Sequence, residues 1–136
     1  MSRRDALATV IQLRRRALDA ATQDLADRLA AQTRAEAGVT AALAALHTEA
    51  VASAERGSDF AAWLPRGRAL VDHARQAAEA AAYETDAARQ ALREAQTELE
   101  LATNLADQRA AAARALQMQK EQAAMDEIAG ILHRRG

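Results

Sequence analysis

Three histidines, His47, His73 and His133, are the side chains of this 136-residue sequence whose ordinary pKa lies close to neutrality. If the chain folds back on itself near its middle, His47 and His73 can meet beside Glu49 and Asp72, which together resemble a divalent-metal donor set. Such an ion needs three or four ligands held in a shaped, water-poor cavity. A pair of helices has no enclosed interior, so no metal site is expected. Cysteine is absent, which removes thiolate nucleophiles, thiolate zinc sites and disulfides. The sequence also lacks a glycine-rich phosphate loop and a His-Glu-x-x-His pair. The run Arg14-Arg15-Arg16 is the densest basic feature. Successive residues of a helix point in different directions, no aromatic lies nearby to stack on bases, and the net charge is −1. The chain is therefore read as non-enzymatic, with no catalytic residue, no cofactor and no nucleic-acid partner.

What must position these residues is helix. Alanine supplies 40 of the 136 residues, against one proline, five glycines and three aromatics, Phe60, Trp63 and Tyr83. Alanine is the best helix former and has no side-chain entropy to lose. So few aromatics cannot fill a thick core. No apolar run approaches the roughly 20 residues of a membrane span. The arginine-rich, amphipathic opening from Ser2 to Leu18 has the look of a transit peptide. Asp5 and the unbroken helical pattern beyond Leu18 favour mature protein instead.

The spacing predicts helix one over about 3–56. Ser2 and Asp5 stand as a capping box, and Arg56 followed by Gly57 forms the stop. Ile11, Leu18, Leu25, Gln32, Val39 and Leu46 recur every seven residues, with Arg15, Thr22, Leu29, Glu36, Leu43 and Ala50 as companions four further on. Ser58 or Asp59 can cap the next segment. Pro65 and Gly67 predict a turn with a short helical segment over about 57–67, ending in a kink or break. Helix two then runs over about 68–132 on Ala88, Leu92, Ala95, Leu99, Ala102 and Ala106, continuing through Ala113, Leu116 and Ala123. Gly130 and the terminal arginines are expected to fray.

Two long helices joined by a short turn lie antiparallel. The fold class is all-α, a single two-helix coiled-coil hairpin over residues 1–136. With the bend near 57–62, residue i faces roughly residue 120 − i, and Leu7 lies near Ala113. About 20 residues of helix two then overhang helix one, by the 1.5 Å rise per residue. Met118, Met125, Ile128 and Leu132 share one face of that overhang, an apolar stripe of the kind that binds partners. Residues 1–18 and 105–136 hold ten basic and five acidic residues, whereas 19–104 hold eight and fourteen. One end is basic and the other acidic. The sequence leaves self-association open.

The opening segment from Ala6 to Ala21 is similar to the first helix of the FliJ family of flagellar type III export proteins. Phe60-x-x-Trp63-Leu64 resembles that family's aromatic-x-x-aromatic-aliphatic element, and Met125-Asp126-Glu127-Ile128-Ala129 resembles its Met-Asp-Glu-Phe-Ala stretch. The resemblance implies a central stalk between a hexameric export ATPase and a membrane export gate, with export chaperones as further partners. It implies an ATPase end at Met125, Asp126, Glu127 and Ile128, to which the overhang adds Met118 and Leu132 as apolar contact and the basic terminal end adds Arg14, Arg15 and Arg16 as complementary charge. The gate end would comprise Phe60, Trp63 and Leu64. The implied location is cytoplasmic, at the inner-membrane export apparatus and peripheral to the membrane through partners only. Pro65 and Gly67 depart from the family's unbroken helix. An injectisome-type secretion stalk shares the architecture. An amphipathic coat or adaptor of the phasin kind is the rival from another class, but it needs a broader apolar face than this narrow seam.

Overall fold

The computed structural model describes residues 2–57 and 59–136. Two helices account for nearly all of them: α1, Arg3–Arg56, and α2, Phe60–Arg135, packed against each other with no strand among the described residues. The helical hairpin expected from composition is the fold. By packing density the chain divides into two units, one made of residues 1–16 and 96–136, the other of residues 17–95.

The ends of α1 follow local chemistry. The Asp5 backbone N–H donates to Ser2 Oγ at 3.2 Å, while the Ser2 N–H and hydroxyl donate to Asp5 Oδ2 at 3.4 and 2.9 Å. This reciprocal capping box occupies donors that the first turn would otherwise leave open. At the other end Gly57 adopts φ 68°, the left-handed conformation that terminates helices and that glycine takes without a side-chain clash. Arg56, in the last turn, reaches back to Glu49 at 3.2 Å. Ser58 lies outside the described residues.

In the unit of residues 17–95 the register is set by two contacts. Thr85, fully buried, donates its hydroxyl to the carbonyl of Arg28 at 3.3 Å and to that of Ala81 at 2.9 Å. Gly67 faces the side chain of Leu46. Residue i therefore stands opposite residue 113 − i, not 120 − i. The chain reverses at Gly57 and α2 is already helical at Phe60, so the bend occupies the first residues of the expected 57–62.

This register makes large side chains meet small ones. It sets Leu46 against Gly67, Val39 against Ala74, Leu25 against Ala88 and Leu18 against Ala95, all buried or half-buried. Opposing a large residue with alanine or glycine brings two backbones close and excludes water without aromatics. The buried apolar set is correspondingly thin: Val71, Ala88, Ala95 and Ala102. The seam on α1 is Ile11, Leu18, Leu25, Gln32, Val39 and Leu46 as expected, all half-buried. Its companions lie three residues further on, at Ala21, Ala35, Ala42 and Glu49. Of the expected companions Arg15, Thr22, Leu29, Glu36 and Leu43 are exposed, and Ala50 is half-buried. Three of these four companions are alanine, the small residue that close approach of the helices favours.

Pro65 does not break α2. It lies early in the helix and is exposed, as is Ala61, whose carbonyl loses its partner and can turn to water. Gly67 is no breaker either: it is buried, and belongs to the seam. Gly130 and Arg134 likewise remain helical. Among the acidic and basic groups of α2, Arg89 pairs with Asp86 at 3.1 Å.

Candidate partner-binding site

In the unit of residues 1–16 and 96–136, α1 begins at Arg3 and α2 runs on past it. Leu7 and Ile11 of α1 are half-buried and line a groove with Ala106 of α2, while Leu99 is half-buried and Ala102 buried. Leu7 shares that groove with Ala110 and Ala113 as well. Every residue from 107 to 129 is exposed, and no described residue of α1 covers Ala113, Leu116 or Ala123.

Met118, Met125, Ile128 and Leu132 are between 55 and 68% exposed. They stand beside the seam rather than on it: Met118, Met125 and Leu132 each follow a seam-register position, Leu116, Ala123 and Gly130, by two residues. The apolar face of the overhang is thus directed away from the line along which α1 packs. Asp126 accepts from the Gln122 amide at 3.0 Å, and Glu127 is exposed.

The three arginines of the triplet divide. Arg14 occupies a seam position and swings its guanidinium to Glu98 at 2.8 Å, with both side chains about half exposed. Arg15 and Arg16 are exposed. Arg14 is accordingly part of the hairpin's own packing, while its two neighbours are free to face solvent. Between the start of α1 and the overhang lies an open groove of about 850 Å³, floored by Leu7, Ile11, Ala106 and Ala110 and edged by Arg3, Arg4, Arg109 and Arg114. Charge counting located these arginines; the groove between them depends on which faces the two helices present.

In the unit of residues 17–95, Phe60 and Trp63 stack with ring centroids 5.9 Å apart. Both are half-buried, as is Leu64. The indole lies over Gly67 and beside Leu46, whereas Val51, Ala54 and Leu70 are exposed. One face of the aromatic pair remains open to solvent.

His47 and His73 are exposed and are not juxtaposed, since the register sets His73 opposite Thr40. No group of three or more metal-ligating side chains occurs among the described residues. No described helix is long and apolar enough to cross a membrane.

No curated protein and no solved structure matches the chain. A family model described as "Flagellar FliJ protein" matches residues 2–136, which include the capped opening, the Phe60–Trp63–Leu64 element and the Met125–Ala129 stretch together. The chain belongs to the FliJ family.

Proposed function

We propose that this flagellar export-related chain is a non-enzymatic stalk. Its overhanging end docks into a hexameric export ATPase, and its turn, at Phe60, Trp63 and Leu64, meets the membrane export gate. Export chaperones are further partners, and the assembly sits at the cytoplasmic face of the inner membrane. Family membership supports the export role. The observation that carries the rest is the overhang: a continuous helix whose residues 107–129 are all exposed and whose apolar stripe is covered by none of the described residues. Soluble proteins rarely leave such a stripe without a partner, and methionine side chains adapt to an irregular socket. An amphipathic helix of this kind binds by its apolar face while surrounding charge sets encounter rate and salt response. The injectisome-type stalk remains the alternative of the same architecture.

The test is titration of the purified chain against its cognate export ATPase, with and without residues 118–136. The reading requires the truncation to remove binding. Unchanged affinity would move the contact elsewhere, with the turn as the next place to look.

A further inference from the structure

The groove at the start of α1 has walls that suit a helix and charge almost entirely of one sign. Four of its residues are alanines, Ala8 on α1 and Ala106, Ala110 and Ala113 on α2, and small side chains let another helix approach closely. Its ionisable groups are four arginines, Arg3, Arg4, Arg109 and Arg114, against one carboxylate, Asp107. Elsewhere in this unit Arg14 finds Glu98 across the hairpin at 2.8 Å. No ion pair among the described residues engages any of the four groove arginines.

Helical geometry spreads these groups around a third helix. At about 100° per residue, Arg4, Ala8, Ile11 and Arg15 of α1 fall within about 60° of one another. On α2, Ala106, Ala110 and Ala113 form a strip of similar width, with Arg109 about 40° beyond one edge and Arg114 about 40° beyond the other. An occupant lying along the strip therefore meets positive charge on both sides. The α1 face from Arg4 to Arg15 is about 16 Å long, three turns of helix. The apolar floor disfavours a bare anion, and a groove without an aromatic side chain has nothing to stack on nucleic-acid bases. What matches is a helix with large apolar residues on one face, to set against the alanines, and carboxylates along both borders of that face.

We propose that the groove takes an acidic amphipathic helix of a partner protein, packed against α1 and α2 as the third member of a local three-helix bundle. Contact with Leu7, Ile11 and the alanines supplies affinity, while the arginines select the charge and speed encounter. Going beyond the stalk reading, this gives the start of α1 a partner of its own, bound without Met125 or Ile128.

Fluorescence anisotropy of the full chain tests it with a labelled synthetic probe, a helical peptide whose leucines recur at three-and-four spacing between two borders of glutamate. Its twin carries lysine for every glutamate. The glutamate peptide should bind and the lysine peptide should not. Arg4→Glu with Arg114→Glu should weaken the glutamate peptide by about 100-fold and admit the lysine peptide. Ala110→Trp, at an exposed position, fills the groove while keeping every charge, and should also remove binding. Met125→Ala with Ile128→Ala should leave it unchanged. No binding of the glutamate peptide, equal binding of the two peptides, indifference to Ala110→Trp, or loss on changing Met125 and Ile128 would each overturn the proposal. So would a dimer by sedimentation that the arginine reversal dissolves, which puts a second copy in the groove, or capture by phosphatidylglycerol vesicles in place of the peptide. Circular dichroism checks that each variant keeps its helix. Should the reversal lose it, Arg4→Gln with Arg114→Gln decides instead, with about a 10-fold loss expected. The measurement uses the chain and a peptide alone, so failure here leaves the ATPase reading untouched.

Discussion

The indole of Trp63 lies over Gly67, one turn later in the same helix, in space that a β-carbon on residue 67 would otherwise occupy. The same space is bordered across the hairpin by Cδ1 of Leu46, only 2.9 Å from where that β-carbon would stand. Glycine at this position is a packing requirement, even though it weakens the helix locally.

Gly67→Ala should therefore destabilise the chain by about 1–3 kcal/mol, the usual cost of overpacking, despite alanine's better propensity. Gly38→Ala should do the reverse and stabilise by about 1 kcal/mol, because a β-carbon there meets nothing within 4 Å. Thermal melts followed at 222 nm measure both. Trp63 is half-buried; its emission should be intermediate in the parent and shift toward the solvent-exposed value only in Gly67→Ala.

Gln32→Leu should raise stability by about 1–3 kcal/mol. Gln32 holds a seam position, and its Oε1 is buried with no hydrogen-bond partner, while Nε2 donates to Glu36 at 3.1 Å. Leucine there would face Ala81, preserving the large-against-small pairing. An unchanged or lower melting temperature would contradict this account of the seam.

Arg14 and Glu98 should couple weakly. Their side chains are about half exposed, so a double-mutant cycle should give roughly 0.2–1 kcal/mol. Arg14→Ala should nevertheless cost more than Glu98→Ala, because the arginine stem also covers apolar surface at a seam position. Equal single-mutant effects would mean the stem contributes no packing.

Met125→Asp together with Ile128→Asp should abolish binding to the export ATPase and leave helix content unchanged, since both side chains are exposed and lie beyond the end of α1. Neutralising Arg15 and Arg16 should instead slow association and flatten its salt dependence. Stopped-flow association at two ionic strengths separates these outcomes.

The all-α hairpin was legible in the sequence because its signals are local. Alanine content, the Ser2–Asp5 box and the Arg56–Gly57 stop each act within a turn or two of backbone, and each occurs as read. The seven-residue spacing from Ile11 to Leu46 was legible for the same reason. The FliJ-like segments were also readable as patterns, and the whole-chain family match agrees with them.

What tertiary structure alone decided was register. Reading leucines as seam and alanines as filler put the companion positions one residue out, because hydrophobicity ranks Leu29 and Leu43 above Ala35 and Ala42 whereas close helix packing ranks them below. Whether Pro65 and Gly67 ended a helix likewise depended on surroundings: solvent beside Ala61 for the proline, and the indole of Trp63 with Leu46 for the glycine. In the unit of residues 1–16 and 96–136, the packing of α1 on α2 fixed how much of the overhang is bare and that four arginines line one groove. Sequence specifies the helices through near neighbours; only the contact of one helix with another specifies which of their faces remain free.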